Sequence, residues 1–416
     1  MTIRHSRQKL AAASQLLEEF EAAKFPHSDS AAAIKQLHEI LKVTGKQFKY
    51  ASSAVLTVQT EMEASDLISG VLVLLGVISN SANVRNSFEI HGPFLSLARR
   101  ILDDPSAKLI ISFEWDYIPY TYPQNHPLLP SFVIIGLPAS EASNALVLPA
   151  IGHELGHSLW RRVKGTDDFE PRITKALTDA IRGPLRTEYQ RHFRIDPDLC
   201  YDLDNLWTWE EASDYCFRQV EELFSDFTGL LIFGSSYLDA FEYLLSPSLS
   251  PERHPDYPPV AVRAEYLRTY ASVVGASAPS AFESLFFKEA SPFNPRTKSS
   301  FQVTLADTAT KQLVSEVATY VAALGNKRGI RPPDQGETLT IMKDFSTGVP
   351  AQNTTGVGAI LNAGWAAFKD SRFMGSSPDS DRMNTINELV LKSVEVFEIE
   401  RMTRRGAKTK RAKARP

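Results

Sequence analysis

Residues 148–160 read LPAIGHELGHSLW, and the order His153-Glu154-x-x-His157 inside that run decides how the rest of the chain is taken. Apolar residues at Leu146, Val147, Ala150, Ile151, Leu155 and Leu159 recur at three- and four-residue spacing, so the segment is expected to be a helix packed against a core. Histidines four apart share one face of such a helix, where both imidazoles can reach one ion at about 2.0–2.1 Å. Burying two imidazoles without a polar partner is costly, and a metal satisfies both. Glu154 then sits beside the open coordination position, as general base for a metal-activated water whose pKa falls to about 7. Gly152 and Gly156 each weaken a helix by roughly 1 kcal/mol relative to alanine, which indicates that something approaches the backbone closely there.

Two histidines leave a catalytic zinc one protein ligand short, and the missing one is usually a carboxylate or histidine from another helix. The stretch from Glu221, EELFSDFTGLL, offers it. Tyr215, Val220, Leu223, Phe224, Phe227, Leu230 and Leu231 mark a broad apolar stripe between residues 207 and 233. Glu222 and Asp226 are four apart within it, hence on one face, so one carboxylate can bind metal while the other accepts the N–H of a ligating imidazole. Glu221 lies about 100° round the helix and is set aside as a ligand.

HELGH followed by Glu222-Leu-Phe-Ser-Asp226 resembles the HExxH plus ExxxD arrangement of gluzincin zinc metallopeptidases. The resemblance covers residues 143–163 and 208–233 with the strand before them. It implies a zinc bound by His153, His157 and Glu222, Glu154 as general base, and Asp226 orienting a ligand histidine. The glycine and third histidine of metzincins are missing after His157, which excludes that class. Gly165-Thr166-Asp167-Asp168 resembles an aspzincin element, but Pro171-Arg172 stands where Tyr-Gly should follow, and Asp168 is kept only as a rival to Glu222. His254-Pro-Asp-Tyr-Pro-Pro259 with Arg263 resembles the HP...R segment that follows the third-ligand helix in several HExxH peptidase families. A hydrogen-bond donor at the developing oxyanion is what hydrolysis needs, and His254 is the first candidate, Tyr257 the second. Arg263 is expected to hold the loop by pairing with a carboxylate.

The remaining features bound the setting. With 416 residues, 43% hydrophobic and 23% charged, the chain is an ordinary globular protein, and its net charge of −4 gives no reason to expect nucleic acid or an anionic membrane as partner of the main body. Two cysteines without CxxC spacing argue against a disulfide framework, and no uninterrupted apolar h-region opens the chain, so a cytoplasmic location is expected. The apolar run 67–79 is too short to cross a bilayer and reads as a core helix, so no membrane partner is expected.

Residues 1–104 carry helical spacing and no chemistry, and His38 and His91 are taken as structural. Short β-rich runs at 109–113 and 132–135 read as strands of a small sheet, and 132–137 is the candidate edge for holding an extended peptide. From 260 to 400 the pattern is again helical, with loops expected around 292–298 and 332–348, and NTTGVG at 353–358 as a turn or helix cap. The last 16 residues hold eight Lys or Arg and no acid. Such a run is expected to be a disordered, solvated tail, and it is the one segment suited to nucleic acid or an acidic partner.

The expectation is an α+β, predominantly α-helical protein with a zincin-like metallopeptidase core and a small β-sheet. Its parts are a helical region 1–104, the catalytic core 105–270, a helical region 271–400 and the basic tail 401–416. The expected activity is zinc-dependent hydrolysis of peptide or protein substrates. The alternative is a latent or non-catalytic zinc-binding regulatory or interaction protein.

Overall fold

A computed structural model describes residues 3–23, 25–47, 54–82, 87–114, 119–121, 127–164, 169–194, 203–246, 253–286, 297–373, 375 and 378–413. Among these the protein is predominantly helical, with fourteen α-helices and one small sheet. It forms two compact units, residues 1–145 with 394–416, and residues 146–393.

The first unit holds α1 (Ile3–Glu21), α2 (Ser28–Gln47), α3 (Ala54–Ala82), α4 (Ser87–Leu102) and the sheet, β1 (Lys108–Glu114), β2 (Tyr120–Thr121) and β3 (Phe132–Pro138). Its core joins Leu17, Leu37, Val71, Leu74 and Ile78 from the helices to Ile110, Phe132 and Ile134 from the strands. The apolar run at 67–79, expected to be too short to cross a bilayer, lies in the later half of the 29-residue α3, of which Glu61–Ser81 is by length and composition long and apolar enough to do so, with 39% of that window buried inside the protein. His38 Nδ1 donates to the Glu21 carboxylate at 2.9 Å, and His91 stacks on His27 with ring centroids 3.9 Å apart.

Sheet order corrects one expectation. β3 is the middle strand, paired in parallel with β1 along its whole length and antiparallel with β2 at Ile135 and Gly136. Every residue of β3 is buried, so it offers no exposed edge to a peptide.

The second unit is built round α8 (Leu203–Phe233), whose residues from Gln219 onward are buried on every side. A helix buried on every side lies in the middle of its neighbours, and the polar side chains it carries there, Gln219, Glu221, Glu222 and Asp226, meet partners inside the protein. Packed with it are α5 (Ala150–Val163), α6 (Phe169–Arg182), α9 (Ser235–Leu245), α10 (Val260–Val274), α11 (Lys298–Lys327) and α13 (Val357–Lys369). The short α7 (Arg186–Phe193) follows α6, and α12 (Gln335–Ser346) lies against α13.

Two more expectations need correcting. The stretch expected as a loop at 332–348 contains α12, because Asp334 caps it by accepting the Glu337 N–H at 2.8 Å, while Ile341 and Phe345 bury one face. The basic tail does not begin as a coil: α14 (Asp379–Lys413) continues as helix into it, in keeping with the high helix propensity of Ala, Lys and Arg.

Candidate metal centre

α5 and α8 cross with their backbones nearly touching. A Cβ added at Gly156 would stand 2.5 Å from Ser225 Cα, and one at Gly152 would meet Phe233 at 2.8 Å and Gly229 Cα at 2.9 Å. The two glycines of HELGH and its preceding turn therefore mark the contact, and they bring the histidine face of α5 onto the acidic face of α8. Trp160, fully buried, locks the end of α5 between Phe169, Phe217 and Phe224, with ring centroids 4.6–5.3 Å away.

At the crossing His153, His157 and Glu222 converge. The two Nε2 atoms are 3.1 Å apart, His157 Nε2 is 3.4 Å from Glu222 Oε1, and His153 Nε2 is 3.5 Å from Glu222 Oε2. Two ligands held tetrahedrally at about 2.0–2.1 Å from a zinc ion are about 3.3–3.4 Å apart, so the spacing of these donors fits such an ion. Among the described residues this is the one group of three such side chains whose ligand atoms all lie within 4.8 Å of one another, and it could hold a metal.

The far sides of both imidazoles are held by carboxylates. His153 Nδ1 is 3.0 Å from Asp226 Oδ1, and His157 Nδ1 is 3.0 Å from Glu221 Oε1. A carboxylate at Nδ1 selects the tautomer that carries its proton there, which leaves a lone pair on each Nε2. Two imidazole lone pairs and the Glu222 carboxylate then face one another at the crossing. Such a donor set could hold a metal ion.

Asp226 is itself strongly held. Arg263 donates to it through Nε and Nη2, both at 2.8 Å, and the Tyr237 hydroxyl donates at 2.7 Å while standing 3.3 Å from His153 Nδ1. Arg263 is therefore paired with a carboxylate, as its position after the loop implied, and its Nη2 also lies 3.3 Å from Glu222. Burial opposes the charge on Asp226, but Arg263 and the bonds from His153 and Arg263 outweigh it and keep the carboxyl well below the ordinary range. Glu222 goes the other way: burial raises it more than the nearby positive charges lower it. Glu154, 3% exposed, is pushed well above the ordinary range by burial first and by the charge of Glu222 second. Burial also lowers the proton affinity of His153, against the pull of Asp226.

The two oxyanion candidates differ. His254 has a 65% exposed side chain, with Nδ1 3.6 Å from Asp256. Tyr257 is 46% exposed, with its phenol pushed up to about 12 by the charge of Glu222 first and burial second. Asp168 lies outside the described residues.

Two residues at the site were missed by spacing. Glu221 is not among the converging ligand atoms, yet the close crossing lets it and its neighbour Glu222 reach opposite edges of the His157 imidazole. Tyr237 arrives because the chain reverses at Gly234, with φ 58°, and its ring passes over Gly229, where a Cβ would meet it at 2.5 Å. Gly229, in the apolar stretch of α8 that follows Asp226, is the signal the sequence offers for that close approach.

Compared with known proteins, the chain matches no family model, no curated protein and no solved structure.

Proposed function

We propose that this protein is a zinc-dependent peptidase with a zincin-like core formed by α5 and α8. The observation that carries the reading is the convergence of His153 Nε2, His157 Nε2 and the Glu222 carboxylate, with both imidazoles turned by carboxylates at Nδ1. Three protein ligands rather than four suit a catalytic site, which keeps a position for water or substrate, better than a structural one. When bound there, zinc supplies Lewis acidity to a water and to a carbonyl oxygen.

The chain's own residues do the rest. Glu154 is one position along α5 from His153, placed to accept a proton from the attacking water as a carboxylate and to pass it to the leaving amine. Asp226 and Glu221 keep each imidazole in its ligating orientation, while Arg263 and Tyr237 keep Asp226 ionised and still. Tyr257 retains its phenolic proton at neutral pH, which suits it to donate a hydrogen bond to an oxyanion, and it is preferred to the more exposed His254.

Elemental analysis of wild type beside His153→Ala and Glu222→Ala tests the site, with about one zinc per wild-type chain expected and loss in both variants. Glu154→Gln should keep the zinc and lose cleavage of an unfolded protein substrate such as casein. Wild type without zinc, or Glu222→Ala with its full complement, would overturn the ligand assignment.

A further inference from the structure

The segment 253–259 that carries Tyr257 belongs to no helix or strand, so its position has to come from side chains. Arg253 has an 8% exposed side chain and grips Asp307 on α11 with both terminal nitrogens, Nη1 to Oδ2 at 2.7 Å and Nη2 to Oδ1. Its Nε donates to the Tyr257 carbonyl at 3.1 Å. Gln219, fully buried on α8, sends its amide N–H groups to the Pro255 carbonyl and to Asp307 Oδ1, both at 2.9 Å. One carboxylate thus anchors two donors, and each donor holds a peptide plane next to or two residues before Tyr257. Gln219 is three residues from Glu222 on the same helix, so the loop is registered to the helix that supplies the carboxylate of the cluster.

A bidentate Arg–carboxylate pair is among the more rigid polar contacts available to a loop, and two buried donors sharing it leave the loop few alternatives. Prolines at 255, 258 and 259 remove further freedom. We infer that Arg253, Asp307 and Gln219 form a clamp that fixes the backbone carrying Tyr257 relative to α8, the helix that supplies Glu222, which makes Asp307 a positioning residue for the reaction. The reactive role rests on the peptidase reading above. The clamp itself does not.

Two measurements on Asp307→Asn, which keeps the side-chain volume but loses the charge that holds Arg253, separate the parts. Hydrogen exchange of the peptide 253–260 should quicken at least roughly tenfold, the scale of one lost charged hydrogen bond, while peptides from α5 and α8 stay within about twofold of wild type. Unchanged exchange at 253–260, or an equal rise through the whole of 146–393, would overturn the clamp.

The second measurement is the affinity of the zinc-loaded protein for acetohydroxamate, whose oxygen anion stands in for the oxyanion. Asp307→Asn and Tyr257→Phe should each weaken it by roughly tenfold, and the double variant by no more than Tyr257→Phe alone, because the first acts through the second. Losses that multiply would refute positioning through Tyr257. A wild type that takes up no zinc would refute the metal reading, and the exchange measurement would then decide the clamp by itself.

Discussion

Gly156→Ala tests whether the site depends on how closely two helices approach. The added methyl would sit 2.5 Å from Ser225 Cα and 3.0 Å from Ser225 Cβ. Carbon atoms prefer about 3.5–4.0 Å, so α5 and α8 must part locally by about 1 Å. The distances from Glu222 to the two Nε2 atoms, now 3.4 and 3.5 Å, would open by a similar amount, beyond what one ion bonded at about 2.0–2.1 Å can span. Overpacking costs about 1–3 kcal/mol, and replacing a helical glycine by alanine returns about 1 kcal/mol. With about 2–4 °C per kcal/mol for a unit of this size, the metal-free melting temperature should fall by at most about 8 °C. Zinc affinity, measured by competition with a chelating dye, should fall at least about tenfold, in line with other disturbances around a metal ligand. Ser225→Gly should not restore it, since the nearest atom is the backbone Cα. Gly76→Ala, where an added Cβ meets nothing within 4 Å, is the control and should leave zinc affinity untouched. Wild-type zinc affinity in Gly156→Ala would refute the idea that the crossing sets the donor geometry.

Other outcomes follow from the same contacts. Asp226→Asn should destabilise more than Tyr237→Phe in urea titrations, by about 3–5 against about 1–3 kcal/mol, because the first leaves Arg263 buried beside a weakened partner and the second removes one donor. Equal effects would mean that Arg263 is not held by this carboxylate. In metal-free protein, the raised Glu154 carboxyl favours folding only while protonated, so its contribution is present below the ordinary carboxylate range of about 4.3 and lost as pH rises through its folded value. Glu154→Gln, stripped of metal, should therefore melt above wild type at pH 7–8, and the gap should close toward about pH 4; a gap constant with pH would refute burial of that charge. Once a cleavable substrate is found, Tyr257→Phe should lower kcat by about 10²-fold or more and His254→Ala by only a few fold, with the reverse order restoring His254 as the oxyanion donor.

Period alone carried much of this arrangement. Four-residue spacing was enough to put His153 with His157 and Glu222 with Asp226, because a helix face is a local property. What depends on two elements meeting was not legible. The part of Glu221 follows from the crossing of α5 and α8, and that of Tyr237 from a chain reversal at Gly234. The order of the sheet, with β3 in the middle, lies in pairing that alternation along one strand does not encode. α12 was hidden by prolines and polar residues that also spell a loop, although Asp334 and Glu337 stand at the spacing of a helix cap.

The use of α8 has a consequence for how the chain tolerates changes of length. Gln219, Glu221, Glu222, Ser225, Asp226 and Gly229 serve the loop, the imidazoles and the helix crossing from a single run of backbone. Adding one residue to a helix turns everything beyond it by about 100° and shifts it by about 1.5 Å. An insertion at 218 would therefore dismantle all of these tasks in one step, whereas the same insertion in the turn between α10 and the short helix Phe282–Leu285 disturbs none of them. A scan of single-residue insertions should fall into two populations, and α8 is where the boundary between them is sharpest.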